Sequence, residues 1–249
     1  MNEVRADRLS LTAGRARALL ITGAFLWAAA VYLWLQGGID KAVQLVHEPL
    51  RLSPLLMGAA LDVSRFGMTA CVIVYLVLLV LSLGPRGPKD LQKLFLPVVL
   101  SFALAGAAGD LAKPAFDRLR PYLEHPSELT SLINPTSSSL PSGHATKAFA
   151  LVLPFAVFAA GERRKRWGLR AALAATAVAI AYTRVLIGVH YLGDVLAGAG
   201  TAFLFLPLVA FAVNVFYRKT RMAGARMEGL ASVCGLILVG LIFYLIRYS

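Results

Sequence analysis

Charge is scarce in this chain of 249 residues: Asp, Glu, Lys and Arg make up 15%, hydrophobic residues 58%, and the mean hydropathy is +0.70. That shortage excludes an ordinary soluble domain, which needs far more polar surface at this length. Cysteine is scarcer still. Cys71 and Cys234 are the only two, and both lie in apolar stretches, which excludes a disulfide framework and a cysteine metal cluster. The leucine- and alanine-rich stretches lack the period-two alternation of strands, which favours helices over a barrel. Internal repeats with matching interrupted segments, the mark of many transporters, are also missing.

What the chain does have is long apolar runs, at 19–35, 68–84, 94–112, 145–161, 171–189, 192–216 and 229–246. Each approaches the ~20 residues a helix needs to cross ~30 Å of hydrocarbon. The expected fold is an all-α, polytopic transmembrane helix bundle of six core spans, with a seventh C-terminal span at 229–246. Residues 1–249 read as one membrane-embedded domain. The first run has Arg15 and Arg17 before it and small residues within it, as a secretory signal would. It is long for that role and belongs to a polytopic chain, so a retained signal-anchor helix is expected.

A formal charge of +12 invites a nucleic-acid reading, but the distribution of the basic residues argues against one. With the N-terminus inside, the inner segments hold Arg5, Arg8, Arg15 and Arg17; Arg86, Lys89 and Lys93; Arg163, Arg164, Lys165, Arg166 and Arg170; and Arg218, Lys219, Arg221 and Arg226. These are most of the 25 basic residues. They alternate with the spans as the positive-inside rule requires, and they suit anionic lipid headgroups. The expected partners are membrane lipids and not nucleic acid. The expected place is a bacterial inner membrane.

That topology delivers three polar clusters to the outer face: "KPAFDRLRP" at 113–121, "PSGH" at 141–144 and "TRVLIGVHYLGD" at 183–194. Lys113 and Arg120 are seven apart, so on a helix they would share a face. His190 and Asp194 are four apart, which lets the carboxylate accept from an imidazole N–H and fix its tautomer. Arg184 and His190 can converge only if the chain turns between them, and Gly188 offers that break.

Taken singly, each residue has a duller reading. Lys113, Arg120 and Arg184 suit interfacial anchors, His144 a helix-end histidine, and His190 with Asp194 a structural hydrogen bond. Together on one face near a membrane interior, where ionisable groups are costly, they point to an anion site. Three cations including two arginines suit phosphate. Ser142 can cap the helix that follows, while Gly143 and the open amides of its first turn favour an anion. A neutral His190 oriented by Asp194 can attack phosphorus. His144 can protonate the departing alkoxide and later activate water, and the cations offset charge on the equatorial oxygens. No metal and no cofactor is expected, since paired carboxylates for Mg²⁺ and a Cys/His set for zinc are lacking.

In order, K-x6-RP, PSGH and [S/T]R-x5-H-x3-D resemble the three signature motifs of the type-2 phosphatidic acid phosphatase superfamily, which comprises membrane lipid phosphatases and vanadium haloperoxidases. The motifs are Lys113 with Arg120-Pro121, then Pro141 to His144, then Thr183-Arg184 with His190 and Asp194. The resemblance implies that His190 is the nucleophile, Asp194 its partner and His144 the general acid. It implies that Lys113, Arg120, Arg184, Ser142 and the Gly143 amide bind phosphate. Thr183 departs from the usual Ser but keeps the hydroxyl, and a seventh span exceeds the usual six. Arg118, at an unconstrained motif position, is expected to be a surface charge paired with Asp117.

Several readings share these residues. A haloperoxidase would hold vanadate there, but those relatives are soluble. A lipid phosphotransferase would pass the phosphoryl group to a lipid acceptor instead of water. A non-catalytic lipid-binding or transport protein would be expected to lose a histidine or a cation, and here none is lost. The expected substrate is a lipid phosphate whose tail stays in the bilayer: undecaprenyl diphosphate, phosphatidylglycerol phosphate, phosphatidic acid or lipid A 1-phosphate. Residues 37–67 and 122–140 are expected to shape the entrance. Glu124 and Glu128 are placed to disfavour further anionic groups, and residues 43–66 are placed to lie along the interface as a lid.

Overall fold

The computed structural model describes residues 9, 11–159 and 163–248, and the described backbone is mainly helical with no strands. The main helices are α1 (Ala13–Gln36), α2 (Gly38–His47), α3 (Pro54–Leu83), α4 (Gln92–Phe116), the single turn α5 (Pro121–Glu124), α6 (Gly143–Phe158), α7 (Arg163–Leu186), α8 (Leu192–Thr220) and α9 (Gly224–Tyr248). The basic positions Arg5 and Arg8 lie outside the described residues, as do the side chains of Arg163, Arg164, Lys165 and Arg166.

Among the described residues six helices are long and apolar enough to cross a membrane, and the protein is an integral membrane helix bundle. The six are not those the runs suggest. α9, the added C-terminal span, is among them, whereas α6 has only 16 residues, about 24 Å of helix. The reason is burial. Ser142, Ala145, Thr146 and Ala148 at its start are fully enclosed, so α6 begins inside the bundle and not at its surface.

The second run is longer than its apolar part. Helix α3 starts at Pro54, with Ser53 accepting a hydrogen bond from the Leu56 amide at 3.4 Å as N-cap. Residues 54–66 are therefore its first turns, and residues 43–47 end α2. The segment expected as an interfacial lid is instead split between two helices. Its Arg51 and Gln44 are buried against the end of α7 and the loop after it, where Arg51 donates to the Leu186 carbonyl (2.9 Å) and Gln44 to that of His190 (2.9 Å).

Helix α1 lies along α8 within the bundle, where Trp27 donates to the Thr201 hydroxyl at 3.1 Å. Helix α6 is the hub, packed on α4, α7 and α8. Its contact with α8 depends on Gly198: a Cβ there would stand 2.6 Å from the Ser142 carbonyl oxygen. Small residues at such crossings let helix backbones approach closely. The first and third polar clusters are thereby drawn to the start of α6.

Candidate active site

One backbone hydrogen bond joins two of the clusters, a second ties the first cluster to the loop before α6, and a third folds the last cluster back on itself. Ser142 N–H donates to the Asp194 carbonyl (2.9 Å), Ser139 N–H to that of Arg118 (2.8 Å), and His190 N–H to that of Arg184 (3.2 Å). The last closes the turn after α7, where Gly188 has φ +83° and a Cβ would stand 2.2 Å from the Thr130 carbonyl oxygen. A glycine is required there on both counts. The break expected at Gly188 does bring Arg184 and His190 together.

Lys113 and Arg120 also come together, but not on one helix. Helix α4 ends at Phe116, and Asp117 follows in the left-handed region at φ 41°. Arg120 is extended, at φ −81° and ψ 155°. It reaches the site on its own hydrogen bonds, from Nε to the Ser137 carbonyl (2.7 Å), from Nη2 to the Ser137 hydroxyl (3.1 Å) and from Nη1 to the Val189 carbonyl (2.8 Å).

The resulting cavity holds about 330 Å³ and is lined by Lys113, Arg120, Gly143, His144, Arg184 and His190, together with Asp110, Lys147 and loop residues near Ser137. Ser142 is not in its wall. It is fully buried and its hydroxyl caps α6 by accepting from the Ala145 amide at 3.5 Å. Thr183 also points away, its hydroxyl donating to the Ile180 carbonyl at 2.7 Å.

His190 is 3% exposed, with its two ring nitrogens in opposite surroundings. Nδ1 lies 3.5 Å from Asp194 Oδ2, which can only accept. Nε2 lies 3.4 Å from Arg120 Nη1, which can only donate. Both neighbours select one tautomer, with the proton on Nδ1 and the lone pair on Nε2. Burial, with Arg120 and Arg184 adding to it against the opposing pull of Asp194, lowers the His190 pKa to about 4. The ring is neutral at pH 7.

Asp194, wholly buried, is held by three further donors. The Tyr191 amide donates to Oδ2 at 2.8 Å, the Ser139 hydroxyl donates to the same oxygen, and Arg118 Nη1 donates to Oδ1 at 2.8 Å. The Arg118 guanidinium therefore corrects the surface assignment. It is 5% exposed, it pairs at 2.9 Å with the buried Asp40 of α2 as well as with Asp194, and it stands 4.1 Å over the Tyr191 ring. Asp40 in turn accepts from the Gly193 amide at 3.0 Å. The motif position that looked unconstrained is the centre of a buried ion triad.

Asp110 and Lys147 were also absent from the expected site. Asp110 stands between Lys113 (3.4 Å) and Lys147 (3.2 Å), so the cavity wall carries four cations and one carboxylate. Spacing held a clue, since Asp110 and Lys113 are one turn apart, as are His144 and Lys147. For Asp40 and Ser139 there was none. Glu124 and Glu128 do not line the cavity: Glu124 accepts from the Tyr191 hydroxyl (2.8 Å) and Glu128 pairs with Lys41 (2.8 Å).

The family model of the PAP2 superfamily matches residues 94–219, just over half of the chain and all three clusters. The chain belongs to the PAP2 superfamily. Among curated proteins it resembles an undecaprenyl-diphosphatase of Sulfolobus acidocaldarius, at 34% identity over 115 residues, 44% of this chain and 50% of that one. The chain thus aligns with about half the length of that relative. Among solved structures it resembles a transmembrane PAP2-type phosphatidylglycerolphosphate phosphatase from Bacillus subtilis, with TM-score 0.57 and 20% identity over 82% of this chain and 96% of that one. At that identity the likeness speaks for a shared PAP2 membrane fold.

Proposed function

We propose that this PAP2 protein is an integral membrane lipid phosphatase that cleaves a phosphomonoester or diphosphate headgroup through a phosphohistidine on His190. The observation that carries this reading is the tautomer of His190: a neutral, buried imidazole with its proton on the Asp194 side and its lone pair turned to a cation-lined cavity. A histidine anchored merely for structure has no need of a wall of cations at its free nitrogen.

In the first step the Nε2 lone pair attacks phosphorus, the P–O bond to the leaving group breaks, and His144 gives its proton to the departing oxygen. Lys113, Arg120 and Arg184 offset charge on the equatorial oxygens, and Asp194 offsets the charge that develops on the imidazole. In the second step His144 takes a proton from water, the water oxygen attacks phosphorus, and the P–N bond breaks to release inorganic phosphate. With a diphosphate, the bond broken first is the one to the terminal phosphorus and a lipid monophosphate leaves. Gly143 begins a helix whose first amides have no partner within the helix, which suits an anion bound beside it.

The substrate class we propose is a lipid phosphate such as undecaprenyl diphosphate, phosphatidylglycerol phosphate, phosphatidic acid or lipid A 1-phosphate. The functions of the two relatives, an undecaprenyl-diphosphatase and a phosphatidylglycerolphosphate phosphatase, support the first two. The distribution of basic residues supports an inner N-terminus and a site on the outer side of a bacterial inner membrane.

The test is phosphate release by purified protein in detergent with EDTA, against these four lipids, with His190→Ala as control. Release that survives EDTA and vanishes in the variant is the expected result. No release from any lipid by folded protein would overturn the proposal in favour of a lipid-binding role. Phosphate that appears only on an added lipid acceptor would make the protein a transferase.

A further inference from the structure

A second cavity, also of about 330 Å³, opens between α4, α6 and α9, and its wall is almost wholly apolar. That volume is within the range of small-molecule sites. We propose that it is the binding groove for a hydrocarbon chain of the lipid phosphate, and that α9, which lies beyond the family-model match, supplies one of its walls. The inference rests on the lipid phosphatase reading and adds where the tail sits.

Continuity with the phosphate site carries the argument. On α4, Val99 and Ala103 line the groove, Gly106 follows one turn on, and Asp110 and Lys113 line the phosphate cavity. These five positions are spaced four, three, four and three, a single stripe along one helix face. On α6, Leu151 lines the groove while Lys147 and His144 line the phosphate cavity, again at steps of four and three. The two cavities therefore share two helix faces.

They meet at Lys147. Its aliphatic stem covers Gly106, where a Cβ would stand 3.1 Å from the Lys147 Cε, and its ammonium lies 5.8 Å from the ring centre of Tyr244 on α9. Tyr244 lines the groove. Lys147 so has a charged head in one cavity and an apolar stem toward the other, the arrangement that suits the junction of a headgroup and a tail.

Depth agrees. Leu151 is about 10 Å along α6 from His144, and Val99 about 16 Å along α4 from Asp110. One leaflet of hydrocarbon is about 15 Å deep. A chain whose phosphate lies at His190 would follow the groove to the middle of the bilayer.

Gly240 of α9 lines the groove and has nothing within 4 Å of a Cβ built on it, so a large side chain there enters open space. The experiment compares kcat/KM for dioleoyl and dihexanoyl phosphatidic acid in one detergent, for the wild type, Gly240→Trp, Ala103→Phe as a second filling variant, and Leu236→Trp. Leu236 is 74% exposed on the same helix and outside the groove. The expected result is a fall of at least about tenfold in the long-to-short ratio for the filling variants. Hydrolysis of the short lipid should stay within about twofold, and Leu236→Trp should behave as wild type. An unchanged ratio in both filling variants would overturn the assignment and leave the groove to bulk lipid. Equal loss on both lipids, or the same loss in Leu236→Trp, would overturn it as a packing effect. A folded wild type that hydrolyses neither of these lipids nor any other lipid phosphate of the panel would instead contradict the lipid phosphatase reading and take the groove assignment with it.

Discussion

The two sides of His190 are built in opposite ways. On the Nδ1 side the polar groups are saturated: Asp194 has four neighbours able to donate, Asp40 has two, and Arg118 bridges the carboxylates, with only its Nε left without a partner. On the Nε2 side the groups are held but not satisfied. Arg184 is fixed by one bond to the Ser64 hydroxyl (2.7 Å) and its buried Nε has no partner. Lys113 and Lys147 share a single half-exposed carboxylate. A buried network with every member paired is rigid, whereas unsatisfied donors around a cavity await an acceptor. In the proposed mechanism the saturated side sets the nucleophile before substrate arrives, and the phosphate completes the other side.

That contrast is best broken first on the open side. His144→Ala should lower kcat for lipid phosphates by about 10²–10⁴-fold, the usual contribution of a general acid–base. With p-nitrophenyl phosphate, whose leaving group needs no proton, the same variant should show a burst of nitrophenol followed by slow turnover. Stopped-flow absorbance checks this, and loss of the burst along with turnover would contradict the assigned role.

The largest effect on the closed side should come from Arg118. Arg118→Ala leaves two buried carboxylates without their shared cation, a change that costs about 3–5 kcal/mol in other proteins. A clear fall in melting temperature in detergent is expected. Arg118→Lys can pair with one carboxylate but not bridge both, so it should keep the fold and lower kcat more than it raises KM. A change in KM alone would place Arg118 among substrate-binding groups.

Asp110→Asn sharpens the comparison from the other direction. It removes the one carboxylate in the cavity wall and frees both lysines for phosphate, so KM should fall by about two- to fivefold with kcat little changed. The smallest effect should be on pH dependence. His190 is neutral down to about pH 4 because burial opposes its charging, so the acid limb of kcat/KM that belongs to the nucleophile should lie there, not at the ordinary value near 6.5. Activity measured from pH 4 to 8 tests this; a nucleophile limb near 6.5 would contradict the buried, neutral ring.

Much of this was legible in the chain because the relevant signals are local. Apolar runs mark the helices, and fixed spacings mark His144, His190, Asp194 and Arg184. The turn at Gly188 was readable for the same reason, since one residue type satisfies its φ. What could not be read depends on contacts distant in sequence. Arg118 looked like a surface charge because its partners, Asp40 and Asp194, lie 78 and 76 residues away. The shared face expected for Lys113 and Arg120 failed because Asp117 ends α4 between them. The short α6 was hidden because hydropathy cannot distinguish a helix that starts at the membrane surface from one that starts in a buried site.

The central claim is that phosphorus is transferred to His190 Nε2. The direct measurement is rapid mixing of His144→Ala with ³²P-labelled p-nitrophenyl phosphate, an alkaline quench that preserves phosphohistidine, and peptide mapping. Label confined to the peptide that carries His190, and absent when His190 is also replaced by Ala, is the predicted result. Nitrophenol release with no label on the protein, or label that persists without His190, would contradict the account.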